Sequence, residues 1–170
     1  KGCIFCSNGG SGEFASPKHL SITEQIEAAK TKVANKINTG KYIAYFQSFT
    51  NTYGDVSYLR EIFSEAITHP DIVALSIGTR PDCLPNDVIS LLKELNDIKP
   101  VWVELGLQTA NENTARYINR GYPLDVFNHA VTTLNNINVD VIVHVIIGLP
   151  HESKDDILHT IKYVCSKNIA

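Results

Sequence analysis

The stretch Val101–Leu107 reads VWVELGL and has the composition of a buried β-strand, with one carboxylate, Glu104, near its middle. Three further stretches share this composition and are spread along the chain. They are Tyr42–Gln47 (YIAYFQ), Ile72–Gly78 (IVALSIG) and Val139–Gly148 (VDVIVHVIIG). Because their apolar residues are nearly continuous rather than strictly alternating, we expect strands of a parallel sheet that is covered on both faces.

Amphipathic helical segments separate these predicted strands. We expect helices at Thr23–Thr39, Val56–Thr68, Asn86–Asn96, Asn111–Asn119, Leu124–Asn138 and Ser153–Ser166. Strands that alternate with helices indicate βα units and therefore a parallel α/β sheet, either doubly wound or barrel-like. A complete eight-fold barrel takes about 250 residues. This chain has 170 residues, so a barrel would have to be a smaller, open one.

Composition and charge limit the classes of protein to which the chain belongs. The sequence is 44% hydrophobic and 19% charged, as in an ordinary globular domain. Its net charge of −3 provides no overall attraction to nucleic acid or to a membrane surface. The longest apolar run, Val141–Leu149, is interrupted by His144 and is too short to span a bilayer. Four cysteines are too few for a disulfide scaffold, so we expect a reduced, cytoplasmic protein.

Polar residues stand late in the predicted strands or directly after them. They are Gln47, Ser48, Thr50 and Asn51; Thr79, Arg80 and Asp82; Glu104, Gln108 and Thr109; and His144. Strand alternation places Glu104, Gly106 and Gln108 on one face of the third strand. In parallel α/β folds the carboxyl ends of the strands form the edge that carries the binding site. These residues therefore predict a binding cleft at that edge.

The pair Cys3 and Cys6 forms a C-x-x-C motif, and a glycine-rich segment, SNGGSG, follows it. A thioredoxin-type redox pair would open a helix, whereas the glycines predict a flexible turn. A zinc site would need two more ligands, and neither Cys83 nor Cys165 has the spacing of a ligand pair. Two other interpretations exist. The cysteines are inert, or they hold an iron–sulfur cluster that has another ligand outside this chain.

Taken together, several segments resemble the radical S-adenosylmethionine (radical SAM) superfamily. They are CIFC with its glycine-rich turn, YIAYFQSFTNTY, LSIGTRPDCLP, VWVELGLQT, INRGY and HVIIGLP. C-x-x-C alone is a weak signal, but the ordered set covers nearly the whole chain and is specific. The closest resemblance is to an Fe–S oxidoreductase subgroup that is related to the Elongator catalytic subunit and to oxygen-independent coproporphyrinogen oxidase.

The resemblance implies a partial (β/α)₆ TIM-like barrel, of which residues 1–170 are one fragment without the first and last strands. It also implies a [4Fe–4S] cluster and S-adenosylmethionine as cofactors. Three cysteines hold the cluster in this family, and Cys3 and Cys6 match two of them. In the subgroup the remaining cysteine lies upstream, which here means before Lys1. We therefore expect a truncated chain that carries no intact cluster and is inactive by itself.

The resemblance also assigns cofactor contacts to individual positions. Phe5 matches the aromatic residue that lies beside the adenine of S-adenosylmethionine. The backbone groups of Gly148 and Leu149 match further contacts to the adenine. Thr79 and Arg80 stand where relatives contact the ribose.

Other matched positions concern the methionyl end of S-adenosylmethionine. Thr50 and Asn51 replace a Gly-Gly-Glu segment that meets the methionyl amino group in the wider family, so here they are substitutes for that segment. Gln108 matches a cofactor-binding glutamine, and Arg120 matches the arginine that pairs with the methionyl carboxylate. His144 replaces an aspartate of the oxidase branch, so we expect it to contact the ribose or the substrate.

The activity that the resemblance implies is reductive cleavage of S-adenosylmethionine to a 5′-deoxyadenosyl radical, which then abstracts hydrogen from a substrate. The sequence does not reveal the substrate or the catalytic residues. Kinship with the Elongator subunit makes a tRNA nucleoside the substrate to test first, and we expect a flavodoxin or ferredoxin as electron donor and no membrane partner. The alternative is a non-catalytic zinc- or nucleotide-binding barrel module in which Cys3 and Cys6 hold zinc.

Overall fold

A computed structural model describes residues 2–6, 15–17, 19–36 and 40–170. Within these ranges the helices and strands are α1 (Ile22–Val33), β1 (Tyr42–Phe46), α2 (Val56–Thr68), β2 (Ile72–Thr79), α3 (Asn86–Asn96), β3 (Val101–Gln108), α4 (Glu112–Tyr117), α5 (Leu124–Asn136), β4 (Asp140–Val145) and α6 (Lys154–Cys165). The glycine-rich turn expected at residues 7–12, and the expected end of the first helix at Thr39, lie outside the described residues. Among the described residues, no helix has the length and apolar composition needed to cross a bilayer.

The bounds expected for α2 and α3 are confirmed, because local signals determine them. Asp55 caps α2 by accepting hydrogen bonds from the backbone N–H groups of Ser57 and Tyr58. The helix ends at Thr68, two residues before Pro70. This is expected, because a proline disfavours the helical conformation of the residue that precedes it. In α3 the buried residues are the predicted apolar stripe, namely Val88, Leu91, Leu92 and Leu95. The buried face of α3 is therefore the one that the spacing of its apolar residues indicates.

Six of the expected elements are longer than the observed ones, and local conformations end three of them early. The first helix ends at Val33, because the N–H of Lys36 bonds to the carbonyl of Val33 (2.8 Å) and tightens the chain into a turn. The helix expected to reach Asn138 ends at Asn136, and Asn138 itself has a left-handed φ of 56°. The last strand ends at Val145, because Gly148 has a φ of 89° that leaves the extended conformation.

The four strands form one parallel sheet in the order β1-β2-β3-β4. Each strand therefore pairs with the one that precedes it in sequence. A doubly wound sheet reverses its strand order at a switch point, and no such reversal occurs in this sheet. The sequential order is that of a barrel segment, which confirms the predicted partial α/β barrel.

The two faces of this sheet differ in what covers them. One row of paired residues, made up of Phe46, Ile77, Val103 and Val141, is directed towards the helices. Phe46 contacts Phe63 of α2 there, with ring centroids 4.9 Å apart. The expectation of strands covered on both faces is not met, because side chains of the opposite face, such as Tyr45, are exposed. We call this opposite side the inner face, since it faces the interior of the barrel.

Candidate functional site

The turn that carries the two cysteines rests on the end of α4, at the carboxyl edge of the sheet. The N–H of Cys6 bonds to the carbonyl of Cys3 (3.2 Å), which closes the turn. The N–H of Ile4 bonds to the carbonyl of Ile118 (3.0 Å), and the side-chain amide of Asn119 donates to the carbonyl of Gly2 (3.1 Å). Backbone contacts therefore place the C-x-x-C pair at the edge that the strand-end polar residues predicted.

The two thiols have the properties of potential metal ligands. Both cysteines are free; Cys3 is half-buried and Cys6 is exposed. Burial raises the pKa of the Cys3 thiol, and the neighbouring Cys6 raises it further, while Arg80 acts in the opposite direction. A bound metal would supply the positive charge that stabilises thiolates here. The pair therefore fits two ligands of a shared metal centre.

A third ligand for these thiols is not present among the described residues. Cys83 follows β2, where its sulfur lies 3.9 Å from Asp82, and Cys165 is exposed at the end of α6. Neither forms a metal-binding group of three with Cys3 and Cys6 within the described ranges. A [4Fe–4S] cluster at this turn would take two ligands from it and would need a further ligand from elsewhere.

The described residues form a different group with metal-ligand chemistry. It consists of Glu27 of α1 and of His69 and Asp71, which lie between α2 and β2. The ammonium of Lys30 already occupies its centre, with contacts of 2.7 Å to Glu27 and 2.5 Å to Asp71. The imidazole of His69 lies 3.1 Å from the same carboxylate of Glu27. This group is therefore an ion-pair network in which a lysine supplies the cation.

A cavity of about 500 Å³ opens between the loops that follow β1 and β2. It is lined by Phe49, Thr50, Tyr53, Arg80, Asp82 and Cys83. Arg80 bonds Asp82 through Nε (2.9 Å) and Nη2 (2.7 Å), and its guanidinium lies over the ring of Tyr122 at 5.2 Å. The structure thus brings together Thr50 and Arg80, two of the predicted cofactor residues, close to the cysteine turn.

Two other predicted residues serve the scaffold instead. The Thr79 hydroxyl is buried and lies 2.5 Å from that of Thr52, on the helix-covered side of the sheet. The side-chain amide of Asn51 donates to the carbonyls of Phe46 (2.9 Å) and Gly78 (2.8 Å) and so joins the ends of β1 and β2. The structure therefore does not bring the Thr79 hydroxyl to the cavity, and it commits the Asn51 amide to shaping the loop.

The expectation that Arg120 binds the methionyl carboxylate is not supported by its position. Its side chain is 1% exposed, and the guanidinium is turned into the protein. Nε donates to the carbonyl of Tyr122 (3.0 Å), and Nη1 donates to the carbonyls of Leu107 (3.3 Å) and Thr109 (2.7 Å). Nη2 bonds the Glu112 carboxylate at 2.9 Å. The fork that would clamp a carboxylate is therefore already engaged, and Arg120 braces the α4–α5 loop.

Gln108 lies in an unusual turn at the end of β3. It has a φ of 67°, and the N–H of Thr109 bonds back to the carbonyl of Leu107 (2.8 Å), which makes a γ-turn of the strained kind. The Gln108 amide folds back over Gly106, where a Cβ would lie only 2.6 Å from Nε2. The absence of a Cβ at Gly106 thus leaves the space that the Gln108 amide occupies on the inner face.

Residues with strained backbones mark the same edge of the sheet. Phe49 (φ 64°) follows β1, Gln108 (φ 67°) ends β3, and His151 (φ 67°) follows β4. Non-glycine residues with positive φ are costly, and they concentrate at ligand sites and switch regions. Sequence reasoning missed Phe49, because its residue type rarely adopts positive φ, and His151, because histidine is enriched there but most histidines are not left-handed.

The remaining predicted contacts to the adenine surround this edge. Phe5 is exposed on the turn between the cysteines. Gly148 is exposed after β4 with a φ of 89°, so its backbone is accessible there. Leu149 is buried, and its carbonyl already accepts the N–H of Glu152 (3.2 Å). The structure therefore leaves Phe5 and Gly148 available to a ligand, but not the Leu149 carbonyl.

Four side chains, one from each strand, meet on the inner face; we call Tyr45, Ser76, Glu104 and His144 the inner-face cluster. Glu104 accepts hydrogen bonds from Tyr45 Oη (3.0 Å) and from Ser76 Oγ, and His144 Nε2 lies 2.5 Å from its Oε2. Burial alone would raise the pKa of Glu104, but these bonds lower it below its ordinary value. Burial and Glu104 together raise the pKa of Tyr45 to about 12.

Sequence reasoning found only part of this cluster. It placed Glu104 on one face of its strand together with Gly106 and Gln108, and it identified His144 as a candidate contact residue, but it assigned no role to Tyr45 or Ser76. Side chains alternate between the two faces of a strand, so the pairing of Tyr45 with Ser76 in the observed register places both on the same face of the sheet. This alternation was the one signal in the sequence that could have found them. That register is not readable from one strand alone.

Comparison with known proteins agrees with these observations. A family model described as the Radical SAM superfamily matches residues 1–164. The uncharacterised protein YtqA of Bacillus subtilis is 44% identical over 168 residues, which cover 99% of this chain and 52% of YtqA. The chain spans about half the length of the curated relatives that it matches.

Two solved structures share the fold at low sequence identity. Elp3 of Methanocaldococcus infernus superposes with a TM-score of 0.71 at 20% identity, over 86% of this chain and 38% of Elp3. Coproporphyrinogen III oxidase (HemN) of Escherichia coli, a radical SAM enzyme, gives a TM-score of 0.68 at 16% identity, over 99% of this chain and 39% of HemN. These likenesses support the same partial barrel.

Proposed function

The chain belongs to the radical SAM superfamily, whose cofactors are a [4Fe–4S] cluster and S-adenosylmethionine, and we propose that it forms the catalytic core of an enzyme of that class. The observation that carries the proposal is the position of the Cys3–Cys6 turn. Its backbone contacts to Ile118 and Asn119 hold both sulfurs at the carboxyl edge of the sheet, where parallel barrels carry their active sites.

The residues around this turn have distinct tasks in the proposal. Cys3 and Cys6 supply two ligands of the cluster, which leaves one iron open because three thiolates rather than four hold it. When bound, the cluster supplies the electron that cleaves S-adenosylmethionine to a 5′-deoxyadenosyl radical. Phe5 covers the adenine, and Thr50 and Arg80 line the cavity next to the turn.

The inner face provides the other half of the proposed site. Gln108 lies over Gly106 with its amide directed along this face, where it can hydrogen-bond a ligand. Apolar inner-face residues such as Ile142 alternate with the inner-face cluster along the strands. A radical intermediate requires a cavity closed to water, so in the intact protein this face would have to be covered during the reaction.

The substrate and the reductant are further parts of the proposal. We propose a tRNA nucleoside as the first substrate to test, on the strength of the motif kinship with the Elongator subunit, and a flavodoxin or ferredoxin in the cytoplasm as electron donor. The chain has a net charge of −3, so its overall charge provides no attraction to RNA.

The test is cofactor cleavage by the intact protein after anaerobic reconstitution with iron and sulfide. With dithionite and S-adenosylmethionine, the protein should release 5′-deoxyadenosine. Cys3→Ala should abolish the release, and Cys165→Ala, which changes an exposed cysteine of α6, should not. Bound zinc in place of iron, with no release from the unsubstituted protein, would instead support a non-catalytic zinc module.

A further inference from the structure

Within the inner-face cluster, Glu104 and His144 differ in solvent exposure. This difference is typical of a pair that binds a ligand rather than of a purely structural crosslink. Glu104 is covered, with a side-chain exposure of 13%, whereas its partner His144 is 48% exposed. Buried polar groups are normally paired, so a pair that was enclosed on both sides would leave no free edge for a ligand. Here the carboxylate is enclosed by its donors, and the imidazole is left open to the barrel interior.

The hydrogen bonds determine which edge of the imidazole is open. Glu104 uses Oε1 for Ser76 and Oε2 for Tyr45 and His144. An ionised carboxylate only accepts hydrogen bonds, so Nε2 of His144 must carry the proton that it shares with Glu104. No hydrogen bond involves Nδ1 of His144 among the described residues. Nδ1 is therefore the atom that this arrangement leaves for a ligand.

The charge of the inner face limits the kind of ligand. The four strands contain two carboxylates, Glu104 and Asp140, and no lysine or arginine. Asp140 pairs with Trp102 in the sheet, which puts it on the same face as Glu104. The strands therefore supply negative charge and no cation to this face, and the guanidinium of Arg80, which follows β2, is already paired with Asp82. This balance favours a neutral or cationic group over an anionic one.

We propose that His144, oriented by Glu104, contacts the substrate on the inner face and accepts a hydrogen bond from a neutral or cationic N–H donor such as an amine or amide. His144 is then the substrate-contacting residue, and Glu104 and Tyr45 are positioning residues that act through it. This assignment rests on the proposed function, because it takes the barrel interior to be the substrate cavity. It names the chemical class of the group that enters that cavity.

The test is nitrogen NMR of histidine-labelled intact protein without cluster or S-adenosylmethionine, with ethylammonium chloride as probe and sodium acetate as its anionic counterpart. In the free protein the shifts should show a protonated Nε2 and an unprotonated Nδ1 for His144. Ethylammonium should move the Nδ1 resonance, and acetate should not. Glu104→Gln should weaken the ethylammonium response about tenfold or more, because a hydrogen bond that involves a charge is lost.

Two further variants keep the test decisive. His159→Asn removes an exposed histidine of α6 and should leave the response unchanged. Glu104→Asp should restore part of the response that Glu104→Gln loses, which a merely structural role would not predict. A protonated Nδ1 in the free protein, or an equal response to acetate, would overturn the proposal. Since no cofactor is present, failure here is distinguishable from failure to cleave S-adenosylmethionine.

Discussion

Replacing Arg120 by methionine should destabilise the protein strongly, because the guanidinium is a buried brace. It donates to the carbonyls of Tyr122, Leu107 and Thr109 and to the Glu112 carboxylate, at distances from 2.7 to 3.3 Å. Methionine fills a similar volume but donates nothing, so the three carbonyls lose their donor. Glu112 is 39% exposed, so solvent reduces the contribution of its ion pair with Arg120 to the free energy of unfolding. Removing one side of a buried charged network costs about 3–5 kcal/mol, and we expect a loss of this size.

Urea unfolding followed by circular dichroism measures this change in the free energy of unfolding. Arg116→Met is the matched control, because Arg116 lies on α4, four residues before Arg120, but is exposed, and its guanidinium bonds the exposed side chain of Asn113. The control should change the free energy of unfolding by about 0.5 kcal/mol or less. If Arg120→Met unfolds like the control but no longer binds S-adenosylmethionine, Arg120 binds the cofactor and the structural explanation is refuted.

Two further predictions concern the inner face. Gly106→Ala places a Cβ 2.6 Å from Nε2 of Gln108, so the flexible amide should move aside at a cost of about 1 kcal/mol or less. The dissociation constant for S-adenosylmethionine, measured by equilibrium dialysis, should then rise about tenfold; an unchanged constant would show that Gln108 does not bind the cofactor. The lowered pKa of Glu104 means that its charge stabilises the fold above the ordinary carboxyl pKa and that this contribution is lost as pH falls through the lowered value. As the pH is lowered, the urea concentration at the midpoint of unfolding should therefore fall less steeply for Glu104→Gln than for the unsubstituted protein. The same pH dependence in both proteins would contradict this.

The sequence was sufficient for the features that local signals determine. The capping boxes at Ser21 and Ser153 form as their spacing predicts, each with a carboxylate three residues later. The strands occur at all four predicted stretches. Their parallel pairing follows from the intervening helices, since a βα unit leaves few other arrangements.

The sequence was insufficient where the outcome depends on contacts between distant segments. Arg120 turns inward because the γ-turn at Gln108 presents the carbonyls of Leu107 and Thr109 to it. Similarly, Tyr45 and His144 meet only through the register of β1 to β4 and the carboxylate between them. Neither the turn nor the register has a signature within a single stretch of sequence.

The central claim is that Cys3 and Cys6 hold an iron–sulfur cluster at the carboxyl edge of the barrel. Its most direct test is the metal and sulfide content of the intact protein after anaerobic reconstitution, compared with Cys6→Ala. We predict about four irons and four sulfides per chain, as for a [4Fe–4S] centre, and loss of both in the variant. One zinc per chain without sulfide, or iron retained in full by the variant, would contradict the claim.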